Sequence, residues 1–216
     1  MNAILARENT LDVTHLRLTP KETDILGMKR KLNLATGIIK KEGRPTIVRA
    51  VCRISKASAV QLYKEIHGKG PSSGLLPYDP EWVMKSPENC LHASVYCNIH
   101  ETLVRAETDA WRGEIFLEAY ERYEETFAFR RQPVLLNINR AWFIERQISL
   151  SDVSRMSCGR CNYTYATIKE YPEGYKFCPI CDATIDSLGR QKWRKVNFGV
   201  CGGHNRIKKS LYLEAV

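Results

Sequence analysis

Two pairs of cysteines confine what this chain can become. Cys158-Gly-Arg-Cys161 and Cys178-Pro-Ile-Cys181 are each a C-x2-C pair, and sixteen residues separate them, a spacing within the range of four-thiolate zinc sites. Two residues between cysteines let a tight turn aim both sulfurs at one ion, and Gly159 and Pro179 are residue types such turns favour. Catalytic zinc keeps a coordination position open for water and usually has histidine among three protein ligands, whereas four cysteines close the shell. The expectation is one structural zinc ion held by Cys158, Cys161, Cys178 and Cys181. A zinc deaminase would place His-x-Glu ahead of Pro-Cys-x-x-Cys, but His67, His92 and His100 are followed two places on by Lys69, Ser94 and Thr102. No nucleophile, base and orienter can be assembled from local motifs either, so no enzymatic activity is expected.

A metal module of this size cannot bury much core and needs the ion's binding free energy to fold. The rest of the 216 residues, in a chain 44% hydrophobic overall, is long enough to supply a core. The segment from Met1 to Glu8 lacks a sustained apolar run and no later stretch has the length of a membrane span, so a cytoplasmic protein with no membrane partner is expected. A reducing cytosol keeps thiols free to bind metal. Cys52, Cys90 and Cys97 lie in apolar, helix-like sequence and are read as core packing.

The chain reads as mainly α: a helical body followed by a C-terminal four-cysteine, ribbon-like zinc module. Residues 1–18 form a variable arm, 19–150 a helical domain, 151–189 the module and 190–216 a basic tail. Thr19-Pro20-Lys21-Glu22 is a capping box with proline at the first helical position. It should open a helix whose apolar face is Ile25, Leu26, Leu32, Leu34, Ile38 and Ile39, ended by Gly43 and Pro45. Between 46 and 67 two short helices meet near Arg53-Ile54-Ser55, with Ser55 capping the second and Gly68 ending it. This is a helix-turn-helix candidate: Ile54, Ala59 and Tyr63 face inward, and Lys56, Ser58 and Gln61 lie outward near the start of a recognition-type helix. Such capped pairs also occur in all-α cores that touch no DNA.

Further on, Leu91, Val95, Ile99 and Leu103 give a helix after Ser86-Pro87, and His92 beside them is read as a core histidine. Phe116, Tyr120, Tyr123 and Phe127 give another, read as core or as an intersubunit face. A last long helix is expected from Val134 to Gln147. In the module, Tyr163 to Ile168 alternates like a strand and should return as a hairpin through Pro172-Glu-Gly174 and Tyr175-Lys-Phe177. Cys201-Gly-Gly-His204 offers only two ligands for a second ion.

The net charge of +9 suits a polyanionic partner. Arg190, Lys192, Arg194, Lys195, Arg206, Lys208 and Lys209 crowd the end of the chain with no carboxylate between Arg190 and Lys209, whereas Glu101 to Glu125 is predominantly acidic. Arg155, Arg160, Arg190, Lys192, Arg194 and Lys195 are the phosphate-contact candidates, and Lys56, Ser58 and Gln61 the base-edge candidates.

Ile54-Ser-Lys with Leu62-Tyr-Lys-Glu65, Gly74-Leu-Leu-Pro-Tyr78 with Trp82, His92-Ala-Ser94 with Cys97-Asn98, and Arg140-Ala-Trp142 precede the cysteine quartet in the middle of the chain. In these blocks and the quartet, as a set, the chain resembles the FlhC family. The likeness spans roughly Ile54 to Cys181. The resemblance implies a transcriptional activator subunit that works with an FlhD-type partner in a heterohexamer of four FlhD and two FlhC chains. It further implies that the complex binds and bends promoter DNA upstream of flagellar operons and assists RNA polymerase, and that the quartet carries the zinc-ligand role. A competing reading is a zinc-stabilised interaction scaffold without direct DNA readout.

Overall fold

A computed structural model describes residues 25–77, 79–106, 110–168, 179–181, 183–185 and 191–193. Its elements run α1 (Ile25–Lys40), α2 (Pro45–Cys52), α3 (Lys56–His67), a 3₁₀ turn (Pro80–Met84), α4 (Pro87–Ala106), α5 (Arg112–Phe129) and α6 (Ile138–Ser149), followed by the short strands β1 (Val153–Ser157), β2 (Thr164–Ile168), β3 (Ala183–Ile185) and β4 (Gln191–Trp193). The protein is therefore mainly α with a small C-terminal β region that carries a cysteine cluster. No described helix is long and apolar enough to cross a membrane. The capping box at Thr19 to Glu22, the N-terminal arm and the Cys201/His204 pair lie outside the described residues.

The chain divides into two compact units, one taking in residues 25–77 and 99–145 and the other 79–98 and residues from 146 onward. In the first, α1 packs with α2, α3 and α5. The buried face of α1 is Lys31, Leu34, Ala35, Ile38 and Ile39, while Ile25, Leu26 and Leu32 are exposed. That corrects the apolar face expected from sequence. Positions 31, 34, 35 and 38 follow the helical period more closely than the scattered apolar residues do, and the aliphatic stem of Lys31 lets it take an inward position. Gly37 permits the approach of α5, since a Cβ there would lie 2.5 Å from Leu117 Cδ2. The aromatic face of α5, Phe116, Tyr120, Tyr123 and Phe127, is core. Each such side chain contributes about 1.5–3 kcal/mol through removal from water, and the set leaves no aromatic stripe for a subunit interface.

α6 starts at Ile138, four residues later than expected. Pro133 cannot donate a helical hydrogen bond, the Leu136 N–H donates to Tyr123 Oη at 3.0 Å, and Asn137 Oδ1 caps the first turn by accepting from the Arg140 N–H at 2.9 Å. On α4 the buried line is Cys90, Ala93, Ser94, Tyr96, Cys97, His100, Leu103 and Val104. Leu91, Val95 and Ile99 are only half-buried, so the expected stripe is rotated by about one position. The inward positions mix small side chains (Cys90, Ala93, Ser94, Cys97) with large ones (Tyr96, His100, Leu103), so apolarity alone did not mark the buried face. Cys52, Cys90 and Cys97 are buried, as read from sequence.

In the second unit β1 and β2 form an antiparallel hairpin in which Arg155 faces Ala166 and Ser157 faces Thr164. The sequence reading paired the strand at 163–168 with residues 175–177. The partner seen among the described residues, β1, precedes it; residues 175–177 lie outside the described residues. β3 and β4 form a second antiparallel pair with Thr184 opposite Lys192.

Candidate metal centre

Strand pairing places the first cysteine pair at the tip of the β1–β2 hairpin. The Cys158 N–H donates to the Tyr163 carbonyl and the Asn162 N–H to the Cys158 carbonyl, each at 2.9 Å. Asn162 takes a left-handed φ of 57°, a conformation asparagine tolerates better than most residues. Within this turn the Arg160 N–H points at Cys158 Sγ, 3.4 Å away, which favours the thiolate form that binds metal.

Cys181 comes to the same point. Its Sγ lies 3.7 Å from Cys158 Sγ, and the sulfurs of Cys158, Cys161 and Cys181 all lie within 4.8 Å of one another. A disulfide requires about 2.05 Å, whereas two thiolates on a tetrahedral ion with Zn–S near 2.3 Å stand about 3.8 Å apart. The three thiols therefore fit a metal and not a crosslink. Cys158 is buried, Cys181 intermediate and Cys161 exposed. Cys178, the fourth expected ligand, lies outside the described residues. Three soft sulfur donors suit zinc, and a fourth cysteine would close the shell against water.

The floor beneath the sulfurs was not read from sequence. Cys90, Cys158 and Tyr165 form a buried cluster flanked by Met84, Met156, Tyr163 and Cys181. Three residues one turn apart on α4 then secure the backbone of β2. Cys90 Sγ donates to the Ala166 carbonyl at 3.4 Å, Ser94 Oγ accepts from the Ala166 N–H at 2.8 Å, and Asn98 Nδ2 donates to the Thr164 carbonyl at 2.7 Å. Ser94 in turn donates to the Cys90 carbonyl at 2.5 Å. These contacts satisfy β2 groups that point away from β1. Cys90 acts here as a thiol donor. The signal was present in the spacing 90, 94, 98, one helical face, but polar residues on a helix do not announce that they serve a strand.

The remaining expected site residues divide by exposure. Arg155 must be corrected: it alternates inward with Val153 on β1 and is 5% exposed, so it cannot meet a phosphate. Burial lowers the pKa of its guanidinium, opposed by neighbouring Cys97. Arg160 is exposed beside the cysteine turn, and Lys56, Ser58 and Gln61 are exposed on α3. Lys192 falls on β4, while Arg190, Arg194 and Lys195 lie outside the described residues. His92 is a core histidine, 2% exposed.

A family model described as "Flagellar transcriptional activator (FlhC)" matches residues 21–194. The Flagellar transcriptional regulator FlhC of Verminephrobacter eiseniae is 29% identical over 157 residues, covering 73% of this chain and 84% of that protein. The protein of the same name from Enterobacter cloacae is 27% identical over 183 residues, 84% of this chain and 93% of that one. That of Gallionella capsiferriformans is 26% identical over 159 residues, 73% and 86% of the two chains.

Proposed function

The chain belongs to the FlhC family of flagellar transcriptional activators, and on that premise we propose that it is the DNA-binding subunit of an activator complex formed with an FlhD-type partner at flagellar operon promoters. The match over residues 21–194 carries this reading, because it takes in the helices and the whole cysteine quartet. The family's name denotes a transcriptional activator and not an enzyme class. By resemblance the complex contains four FlhD-type and two FlhC-type chains and assists RNA polymerase.

Cys158, Cys161, Cys178 and Cys181 would hold one zinc ion as a structural brace. The ion supplies a crosslink that fixes the hairpin tip against the segment around Cys181, with no reactive position left open. Arg160, Arg190, Lys192, Arg194 and Lys195 are the proposed phosphate contacts around this module, and Lys56, Ser58 and Gln61 the proposed base-edge contacts.

Co-expression with an FlhD-type partner, zinc analysis and footprinting at several salt concentrations test the proposal. One zinc per chain and an affinity that falls steeply with salt are expected, since each neutralised phosphate releases a counterion. A complex that assembles but shows only shallow, sequence-independent binding would identify the interaction scaffold instead. Cys178→Ser is expected to lose the metal; a full equivalent of zinc in that variant would overturn the ligand assignment.

A further inference from the structure

Between residues 25 and 77 eleven Lys and Arg stand against two carboxylates, Glu42 and Glu65. That surplus of nine equals the net charge of the whole chain, +9, so the segment from 25 to 77, which contains α1 to α3, carries as much excess charge as the entire protein. Part of it is committed locally: Arg30 pairs with Glu114, and Lys41 Nζ meets Glu124 Oε2 at 2.5 Å. Arg44 donates to the carbonyls of Gly74 and Leu75 at 2.8 and 2.7 Å. Arg49, Arg53 and Lys56, at the junction of α2 and α3, are exposed. The single carboxylate of α3, Glu65, lies ~13 Å further along the helix from Lys56 and accepts a hydrogen bond from Gln61 Nε2 at 2.8 Å.

The backbone at this junction has a defined shape. α2 is eight residues long, residues 53–55 connect it to α3, and Arg53 takes the left-handed conformation, φ 55° and ψ 36°, with its N–H donating to the Arg49 carbonyl at 3.1 Å. Ser55 Oγ then caps α3 by accepting from the Ser58 N–H at 3.0 Å. Val48, Cys52, Ala59 and Tyr63 are buried and hold the pair to its unit, which leaves Ser58 and Gln61 outward on the first turns of α3. A short helix, a three-residue turn with a left-handed first residue, and a second helix with exposed polar residues at its start give the order of elements of a helix-turn-helix.

We propose that α2, the turn and α3 form a duplex-DNA site separate from the metal centre, in which α3 enters the major groove. Gln61 and Ser58 meet base edges there, and the exposed Arg49, in the last turn of α2, and Arg53, at its left-handed cap, hold the phosphate backbone. The inference rests on the DNA-binding reading above and assigns its specificity to the helical unit, with the metal module left to backbone contact.

The test uses the full-length chain co-purified with its FlhD-type partner. Duplexes enriched from a random library are compared with random duplex by fluorescence anisotropy from 50 to 300 mM salt. The Arg49→Gln/Arg53→Asn variant removes two charges while keeping a residue that accepts a left-handed φ at 53. It should weaken binding to both duplexes about tenfold and reduce the slope of log affinity against log salt by about two. Arg49→Lys/Arg53→Lys should restore the slope. Gln61→Ala should lose about tenfold on the enriched duplex while binding random duplex as before. Zinc content and thermal melts equal to wild type verify that the exposed substitutions leave the fold intact. If the wild-type complex enriches no sequence, the DNA-binding reading falls and this inference with it. If it does enrich one and these variants keep its affinity, slope and base preference, the α2–α3 assignment alone is overturned.

Discussion

His92 is held on α4 with 2% of its surface exposed, and burial lowers its pKa from 6.5 to about 4. The folded protein thus keeps a neutral imidazole in a range where the unfolded chain gains a proton. Because the unfolded state binds more protons there, stability must fall as pH drops from about 6.5 towards 4. Between pH 7 and 5 this residue alone removes about 2 kcal/mol. Urea titrations of wild type and His92→Gln at several pH values should show a shallower pH dependence in the variant; identical dependences would mean that the imidazole charges in the folded state. That His92 belongs to the core was legible, since no Cys or Asp stands at a metal-ligand spacing from it. Arg155 was misread at the same scale, because a basic residue three positions before a cysteine pair gives no sign of strand alternation turning it inward.

Three helices share one buried ion group. Glu145 on α6 is fully buried; its Oε2 lies 2.8 Å from His100 Nε2 on α4, and its Oε1 accepts from Arg112 Nε at 3.0 Å at the start of α5. Burial alone would push this carboxyl up, but His100 and then Arg112 more than offset that, so its pKa ends below the usual carboxylate value. Removing one partner of such a group leaves others buried without compensation. Glu145→Gln should therefore cost about 2–4 kcal/mol, read as a lower urea midpoint at unchanged m value. Polar residues at positions 100, 112 and 145 read from sequence as ordinary surface, and only the packing of α4 to α6 unites them. Elements whose signals are local were legible: α3 between its Ser55 cap and Gly68, and the aromatic face of α5. The start of α6 and the bracing of β2 were not, since both depend on groups distant in sequence, Tyr123 for the first and Cys90, Ser94 and Asn98 of α4 for the second.

Across the whole chain, the cysteine module was legible as a spacing, but its support was not, because residues 79–98 belong to the same compact unit as the hairpin. A two-stranded hairpin is marginal alone, so its persistence should depend on metal, whereas the helical unit has its own apolar core. Hydrogen exchange after chelation is expected to strip protection from 153–157 and 164–168 while 115–123 keep theirs; simultaneous loss everywhere would show one cooperative unit. Charge was legible only where it is dense: the run after Arg190 stands out in the sequence, whereas the surplus over residues 25–77 is spread along three helices and their connections. One residue in those helices carries a further implication. Arg53 occupies a backbone conformation that costs an L-residue about 1 kcal/mol and glycine almost nothing. A laboratory selection for heat resistance alone should discard this arginine, and one for promoter occupancy should retain it. The position thus measures which pressure a population of variants has experienced.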